Sequence, residues 1–478
     1  MTLKQAATSG IRWSFIAQVS RQLVQILTTI VLARILSPND FGLIGMTAVV
    51  IGFINLFKDL GTSTAIIQKQ DYSDEFLSSI FWINVIFGCL VTSLIFLFSP
   101  LIANLYEEPR VIAILQFLSV TFFISSLSNL QQAILERDLA FNQLAKIEIF
   151  SLVLGSAVAI IVAILGAGVW SLVCQTLLVN ICTTILLWVY TKWRPKLILQ
   201  WKAVKSISHY SLHLTAANIF FYFVRNADNF LIGKFLGAEA LGYYALAYRI
   251  MMYPMQNIGA VIRRVMFPVF SRWQEDNVRF QDAYLKAVAL TSMITLPIVV
   301  SFIVLGKPLV LTLFGNSWLP TVPLLIILVP AGFIESIETT VTVIYQAKGR
   351  TDVMLYWGGF TGIMVVLAFV IGIQWGVIGV AVAYVSTLPL SVINFLIGFR
   401  LIHLSIRRFF SALWRVILCN SLMLCILLLL KNQFFVSIAS YLELSILSLV
   451  GCVFYVFINW LINRVQVRQL ISISGLSK

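Results

Sequence analysis

The residues best placed to do chemistry in this 478-residue chain are ionisable and amide side chains set inside long apolar runs. Arg21, Gln22 and Gln25 share one run, Lys58 and Asp59 a second, Asn218, Arg225, Asn226 and Asp228 a third, Arg249 a fourth, and Glu335 and Glu338 a fifth. An Arg, Lys or Asp at the centre of a membrane helix costs about 2.5 to 3.5 kcal/mol on insertion scales, so such a residue faces a cavity or a partner rather than lipid. The planar fork of arginine matches phosphate bidentately. Arg21, Gln25, Asn218, Arg225, Asp228 and Arg249 are therefore candidates for a path through which an anionic headgroup passes, in a cavity between two halves of the chain. At 1.5 Å of rise per residue, Arg21 lies about 12 Å from the cytoplasmic side, Arg225 beyond the midplane, and Arg249 about 12 Å from the outside. Each charge could instead belong to a structural ion pair; Arg225 and Asp228, at i and i+3, could neutralise one another. Glu335 and Glu338, also at i and i+3, and Asp59 are candidates for carrying a coupling ion, proton or sodium; a carboxylate pair of this kind also occurs as a helix-packing contact.

Other chemistries lack their residues. No glycine-rich loop ends in Gly-Lys-Ser/Thr, so ATP-driven transport on this chain is not expected. His209 and His213 share a helix face, but with no third ligand nearby they and His403 read as interfacial polar residues, and no metal site is expected. Cys89, Cys174, Cys182, Cys419, Cys425 and Cys452 all fall inside apolar runs, where cysteine behaves as a small hydrophobe, so no disulfide framework follows. No catalytic residues and no cofactor beyond a coupling ion are expected.

The elements that must position these residues are membrane helices. The chain is 60% hydrophobic and 11% charged, with a mean hydropathy of +0.96, whereas a soluble domain is about a quarter charged. A hydrocarbon core about 30 Å thick takes about 20 apolar residues per helix. Fourteen such runs lie near 13–36, 41–67, 77–99, 111–135, 147–165, 168–190, 209–236, 241–262, 287–306, 321–345, 353–373, 375–399, 409–430 and 437–462. Blocks such as "IFGCLVTSLIFLFS" do not alternate apolar and polar residues as barrel strands do, which selects helices. No cleavable signal precedes the first run, which is expected to be an anchor. The net charge of +14 follows topology rather than nucleic-acid binding: of 33 Lys and Arg, only Arg34, Arg110, Lys234, Lys307 and Lys431 fall between runs on the side opposite the N-terminus. The positive-inside rule then places both termini in the cytoplasm, with the basic loops beside anionic lipid.

The chain also repeats itself. "VLARILSPNDFGLI" (31–44) is echoed 200 residues later by "LIGKFLGAEALGYY" (231–244), with Leu36 matching Leu236 and Gly42 matching Gly242. Gly168 and Val169 match Gly376 and Val377, and Gln132 and Ala133 match Gln346 and Ala347, at slowly growing offsets that small loop insertions would produce. The reading is two parallel six-helix halves, 1–190 and 209–402, joined by a basic cytoplasmic linker at 191–208 and followed by two extra helices and a tail at 403–478. The linker is either a short amphipathic piece on the inner surface or a plain solvated segment. Pro254, Pro297, Pro330 and Pro389 are expected to kink or break their helices. The outer connections reach about a dozen residues, too short for an external catalytic domain.

The segments "LARILSPNDFGLIGM", "FKDLGTSTAIIQKQ", "QQAILERDLAF" and "RNADNFLIGKFLGAEALGYYALAYRIMMYP" resemble bacterial O-antigen and exopolysaccharide flippases (Wzx-type) of the multidrug/oligosaccharidyl-lipid/polysaccharide exporter superfamily, over about residues 5 to 400. The resemblance implies an all-α polytopic membrane protein of about 14 transmembrane helices, with two pseudo-symmetric six-helix lobes like those of the multidrug exporters and two added helices. It implies movement of undecaprenyl-diphosphate-linked oligosaccharide repeat units to the outer leaflet of the bacterial inner membrane by alternating access. The implied partners are that lipid-linked substrate, membrane lipids and other polysaccharide assembly proteins, not nucleic acid. A drug or cation exporter of the same superfamily is the first alternative, disfavoured by the basic bias of the buried charges. A membrane polysaccharide polymerase is the second, disfavoured by the short outer loops.

Overall fold

Capping residues start helices where the apolar runs begin. Ser37 caps α2 (Pro38–Asn55): its N–H donates to Asp40 Oδ2 at 3.0 Å and its Oγ accepts from Asp40 N at 3.3 Å. This reciprocal capping box carries Pro38 in the first turn, where a missing N–H is harmless. Ser73 caps α3 (Asp74–Tyr106) by accepting from Phe76 N at 3.2 Å, with Asp74 and Glu75 at the positive end of the helix dipole.

The computed structural model describes residues 3–56, 73–198, 212–434 and 438–464. The remaining helices are α1 (Leu3–Ile35), α4 (Arg110–Ser126), α5 (Asn129–Arg137), α6 (Phe141–Ile164), α7 (Trp170–Tyr190), α8 (Leu212–Arg272), α9 (Asn277–Leu313), α10 (Thr321–Ala347), α11 (Thr351–Gly372), α12 (Gly376–Ser386), α13 (Leu388–Leu401), α14 (Ile406–Phe434) and α15 (Ser440–Ile462). Nine stretches among the described residues are long and apolar enough to cross a membrane, and the bent pair α4–α5 makes a tenth. One of the nine, 351–401, holds two spans, and α2 and the two parts of α8 complete the expected fourteen. α8 divides at Gly237, whose φ of 83° interrupts the helix.

The chain falls into two units, residues 1–242 and 243–478. The boundary between these units lies inside α8. Within the first unit α3 packs on α4, α4 on α7, and α6 on α7; within the second α9 packs on α10, α10 on α12, and α11 on α12. These are the same span pairs, third with fourth, fourth with sixth and fifth with sixth, in each half. The matched glycines Gly168 and Gly376 both adopt positive φ, 56° and 71°, just before α7 and at the start of α12. The repeat is structural as well as textual.

The opening phrase of each repeat meets the other inside the first unit. A Cβ on Gly42 would lie 1.6 Å from the carbonyl oxygen of Ala238, and one on Gly242 would lie 1.9 Å from that of Pro38. Position 238 corresponds to 38 and 242 to 42, so the contact is reciprocal, as across a two-fold axis. Glycine is required because backbone approaches backbone.

Most of these prolines sit inside continuous helices, where other groups take over the freed carbonyls. Proline at position i leaves the carbonyl of i−4 without its helical donor. In α3, Pro100 frees Phe96 O, which accepts from Ser99 Oγ at 2.9 Å. In α9, Pro297 frees Met293 O, which accepts from Tyr455 Oη of α15 at 2.6 Å, and Pro308 frees Val304 O, which accepts from Lys431 Nζ of α14. The two helices outside the repeat thus supply the donors that α9 lacks. Pro389 does break its span, into α12 and α13. The 44° break between α4 and α5 has no proline; there α7 supplies the donors, Thr184 Oγ1 to Ile124 O at 3.2 Å and Trp188 Nε1 to Leu127 O at 2.7 Å.

The described part of the linker is neither amphipathic helix nor free coil. Residues 191–198 are strapped to α3: Trp82 Nε1 donates to Lys196 O at 2.9 Å, Lys196 N to Ser78 Oγ at 3.0 Å, and Lys196 Nζ pairs with Asp74 at 3.2 Å.

Candidate functional site

Two groups of polar residues interrupt the apolar helices. The first lies on α1, α6 and the first half of α8. α1 packs on α6, and there Arg21 Nη2 forms an ion pair with Glu148 Oε2, both side chains half-exposed. The partner on α6 escaped the sequence reading, because a single acid in a span carries no spacing pattern; the rule that a membrane charge needs a partner points to it. Gln25, one turn beyond Arg21, is exposed on the same helix face.

On α8, Asn218 and Arg225 are both exposed and, seven residues apart, share a face. Asp228 is buried at 4% exposure, and its Oδ1 accepts from Asn229 N at 2.7 Å. Arg225 and Asp228 therefore occupy different environments despite their i, i+3 spacing. The wall beside Arg225 is aromatic. Tyr222 Oη donates to Val49 O of α2 at 2.6 Å, in space left by Gly52, where a Cβ would stand 2.4 Å from that hydroxyl. Phe53 packs on Tyr222 and Phe223 with ring centroids 6.1 and 5.0 Å apart. Neither Tyr222 nor Gly52 was singled out by charge. Arg249 is exposed on the second half of α8, in the second unit. Asp59 lies outside the described residues.

The second group lies in the second unit, on α10 and the broken span packed against it. Glu335 and Glu338 are half-buried. Tyr384 Oη of α12 donates to Glu335 Oε2 at 3.3 Å, and Asn394 Nδ2 of α13 donates to Glu338 Oε1 at 3.2 Å. Tyr345 Oη lies 2.7 Å from Asn394 Oδ1 and 3.1 Å from Asn394 O. The two carboxylates of α10 thus hold the two pieces of span 12 separately, Glu335 the α12 piece and Glu338 the α13 piece. Asn394, Tyr345 and Tyr384 are uncharged and gave no signal in the sequence.

Elsewhere the surface offers less. A groove of about 450 Å3 between α11 and α12 is lined by Ile371, Trp375, Ile378, Val382 and their neighbours, with Ser386 its one polar side chain, so it gives a charged group little to bind. Among the described residues no three His, Cys, Asp or Glu side chains gather closely enough to hold a metal ion.

Fourteen helical spans with a duplicated core, and polar residues on exposed helix faces, define the architecture of a many-spanning membrane transporter. The lipid II flippase MurJ, solved in an inward closed conformation, shares this fold: the TM-score is 0.74 over 95% of this chain and 99% of that one, at 18% identity. Residues 31–323 match the polysaccharide biosynthesis protein family, and the chain belongs to that family. The teichuronic acid biosynthesis protein TuaB of Bacillus subtilis (strain 168) is 29% identical over 86% of this chain and 85% of its own length. The lipopolysaccharide biosynthesis protein WzxC of Escherichia coli (strain K12) is 28% identical over 87% of this chain and 85% of its own.

Proposed function

We propose that this protein flips lipid-linked oligosaccharide repeat units, carried on undecaprenyl diphosphate, from the cytoplasmic to the outer leaflet of the bacterial inner membrane. The product then enters surface polysaccharide assembly, and transport proceeds by alternating access. The family match and the relatives named for teichuronic acid and lipopolysaccharide biosynthesis support the substrate class. The fold shared with a lipid II flippase supports the transport step.

The observation that carries the reading is the exposed cationic face of α8. Arg225 and Asn218 stand exposed on a helix whose surroundings are apolar, where a cation is stable only beside water or an anion. A diphosphate supplies that anion, and the guanidinium fork binds it bidentately. Arg21 with Gln25 on α1, and Arg249 on the second half of α8, extend the path in their own units. Arg21 is shared with Glu148, so it exchanges one anion for another as the headgroup arrives and leaves. A cationic drug would find Arg225 repulsive, which separates this reading from a drug exporter.

The test is replacement of Arg225 in cells whose surface polysaccharide depends on this protein. Arg225→Ala is expected to abolish surface polysaccharide with normal protein levels, and Arg225→Lys to restore part of it, since lysine keeps the charge and loses the fork. Normal polysaccharide with Arg225→Ala removes this residue from the path.

A further inference from the structure

We propose that Glu338 is the protonation site that drives the transport cycle, and that Asn394 and Tyr345 form the relay that lets it load and release a proton in place. The coupling role rests on the transport reading above; the site itself rests on the geometry of α10 and α13.

Glu338 is nine residues from the end of α10 at Ala347, about 14 Å along the helix, and so well within the hydrocarbon. An ionised carboxylate at that depth needs a donor or a proton. The surroundings provide one amide donor, Asn394 Nδ2 at 3.2 Å, with the Ser391 hydroxyl as a second hydrogen-bonding neighbour on the same helix α13. The titratable and charged groups facing this site come from every element packed on it. α10 itself brings Glu335 and Tyr345, and α12 brings Tyr384. α8 brings Tyr248 against Tyr384, next to Arg249, and α9 brings Tyr284 to Thr340. On α11, Asp352 is paired to Arg350 and Tyr356 is exposed, so neither is among the groups facing Glu338.

The relay follows from the two oxygens within reach of the Tyr345 hydroxyl. With Glu338 ionised, the Asn394 amide nitrogen donates to the carboxylate, and the Tyr345 hydroxyl donates to Asn394 Oδ1 at 2.7 Å. When a proton from a hydronium ion joins Glu338, leaving water, the new carboxylic O–H needs an acceptor. The Asn394 amide then turns over, so that its oxygen accepts from Glu338 and its nitrogen donates to the Tyr345 oxygen. The Tyr345 hydrogen swings to the Asn394 backbone carbonyl at 3.1 Å. The heavy-atom sites are shared by both patterns, and the Glu338–Asn394 and Asn394–Tyr345 contacts each keep one donor facing one acceptor. A sodium ion bound to the same oxygens is the competing reading, and the experiment below separates the two.

The site also links charge to shape. The Glu338–Asn394 bond is the hold of α10 on the α13 piece of span 12, and Glu335–Tyr384 is its separate hold on the α12 piece. Protonation of Glu338 changes the first hold and leaves the second, on a span already broken before Pro389.

The experiment is pH-difference infrared spectroscopy on the purified full-length protein in lipid nanodiscs, with surface polysaccharide scored in cells. Wild type minus Glu338→Gln is expected to leave one carboxylic-acid C=O band that appears and disappears with pH. Asn394→Leu removes the donor to the ionised form and is expected to move the midpoint of that change upward. Replacing potassium chloride by sodium chloride is expected to leave it unchanged. No titrating band, an unmoved midpoint in Asn394→Leu, or a midpoint shifted by sodium each overturns the proton relay. In cells, Glu338→Gln is expected to lose surface polysaccharide at normal protein level. Loss in Arg225→Ala but not in Glu338→Gln overturns the coupling role and leaves the transport reading standing; normal output in both variants overturns the coupling role and removes Arg225 from the path.

Discussion

Tyr455→Phe removes a single hydroxyl, and its consequence depends on a proline in another helix. Pro297 has no N–H, so Met293 O in α9 loses its helical donor and takes the Tyr455 hydroxyl at 2.6 Å instead. Without that hydroxyl the carbonyl is orphaned in a water-poor interior. A buried unsatisfied group costs about 1 to 3 kcal/mol, while hydrogen bonds measured inside membrane proteins average about 0.6 and reach about 1.7. Met293 O has no helical alternative, which places the expected loss near the upper membrane figure, about 1.5 kcal/mol. The assay is reversible unfolding in mixed micelles, run on wild type, Tyr455→Phe, Pro297→Ala and the double variant. Pro297→Ala returns the amide donor to Met293 O, so Tyr455→Phe in that background is expected to cost little, with a coupling energy of about 1 kcal/mol. An equal cost in both backgrounds, or none in either, refutes the idea that α15 completes the hydrogen bonding of α9.

Other expectations follow from single contacts. Gly42→Ala is expected to prevent folding or force the two repeat turns apart, since its Cβ would stand 1.6 Å from Ala238 O; Gly359→Ala, with open space around it, should express normally. Glu108 accepts from Arg110 Nε and Nη2, both at 2.8 Å, and the paired guanidinium holds its carboxyl below the usual carboxylate range. A lowered folded value means that its contribution is present above the unfolded pKa and is lost as pH falls through the folded one. Hydrogen exchange at Val111, whose N–H donates to Glu108 O, should stay slow as pH falls past about 4.3 and quicken only below it. Quickening already at the ordinary carboxylate value would contradict this.

The spans were legible because about 20 apolar residues per crossing leave a long, redundant signal. Their breaks were less so. Pro389 announced the division of span 12, but the bend between α4 and α5 depends on donors from Thr184 and Trp188, sixty residues away, and no local residue type marks it. The repeat was readable from glycines, since Gly42, Gly242, Gly168 and Gly376 each serve a backbone requirement that no other residue meets easily. Its meaning, a reciprocal contact of the two phrases, needed three dimensions. At the candidate site, charge inside apolar runs singled out Arg21, Arg225, Glu335 and Glu338, because a membrane charge is costly enough to require a reason. Glu148, Asn394 and Tyr345 were missed: one is a lone acid, and the others are neutral until geometry sets them beside a carboxylate.

The central claim is that this chain moves lipid-linked oligosaccharide across a bilayer. Purified protein in proteoliposomes containing fluorescent undecaprenyl-diphosphate oligosaccharide, with a membrane-impermeant quencher outside, reads this directly. Wild-type protein is expected to equilibrate the label between leaflets, and Arg225→Ala to leave it where it began. Equilibration no faster than in protein-free liposomes would contradict the account.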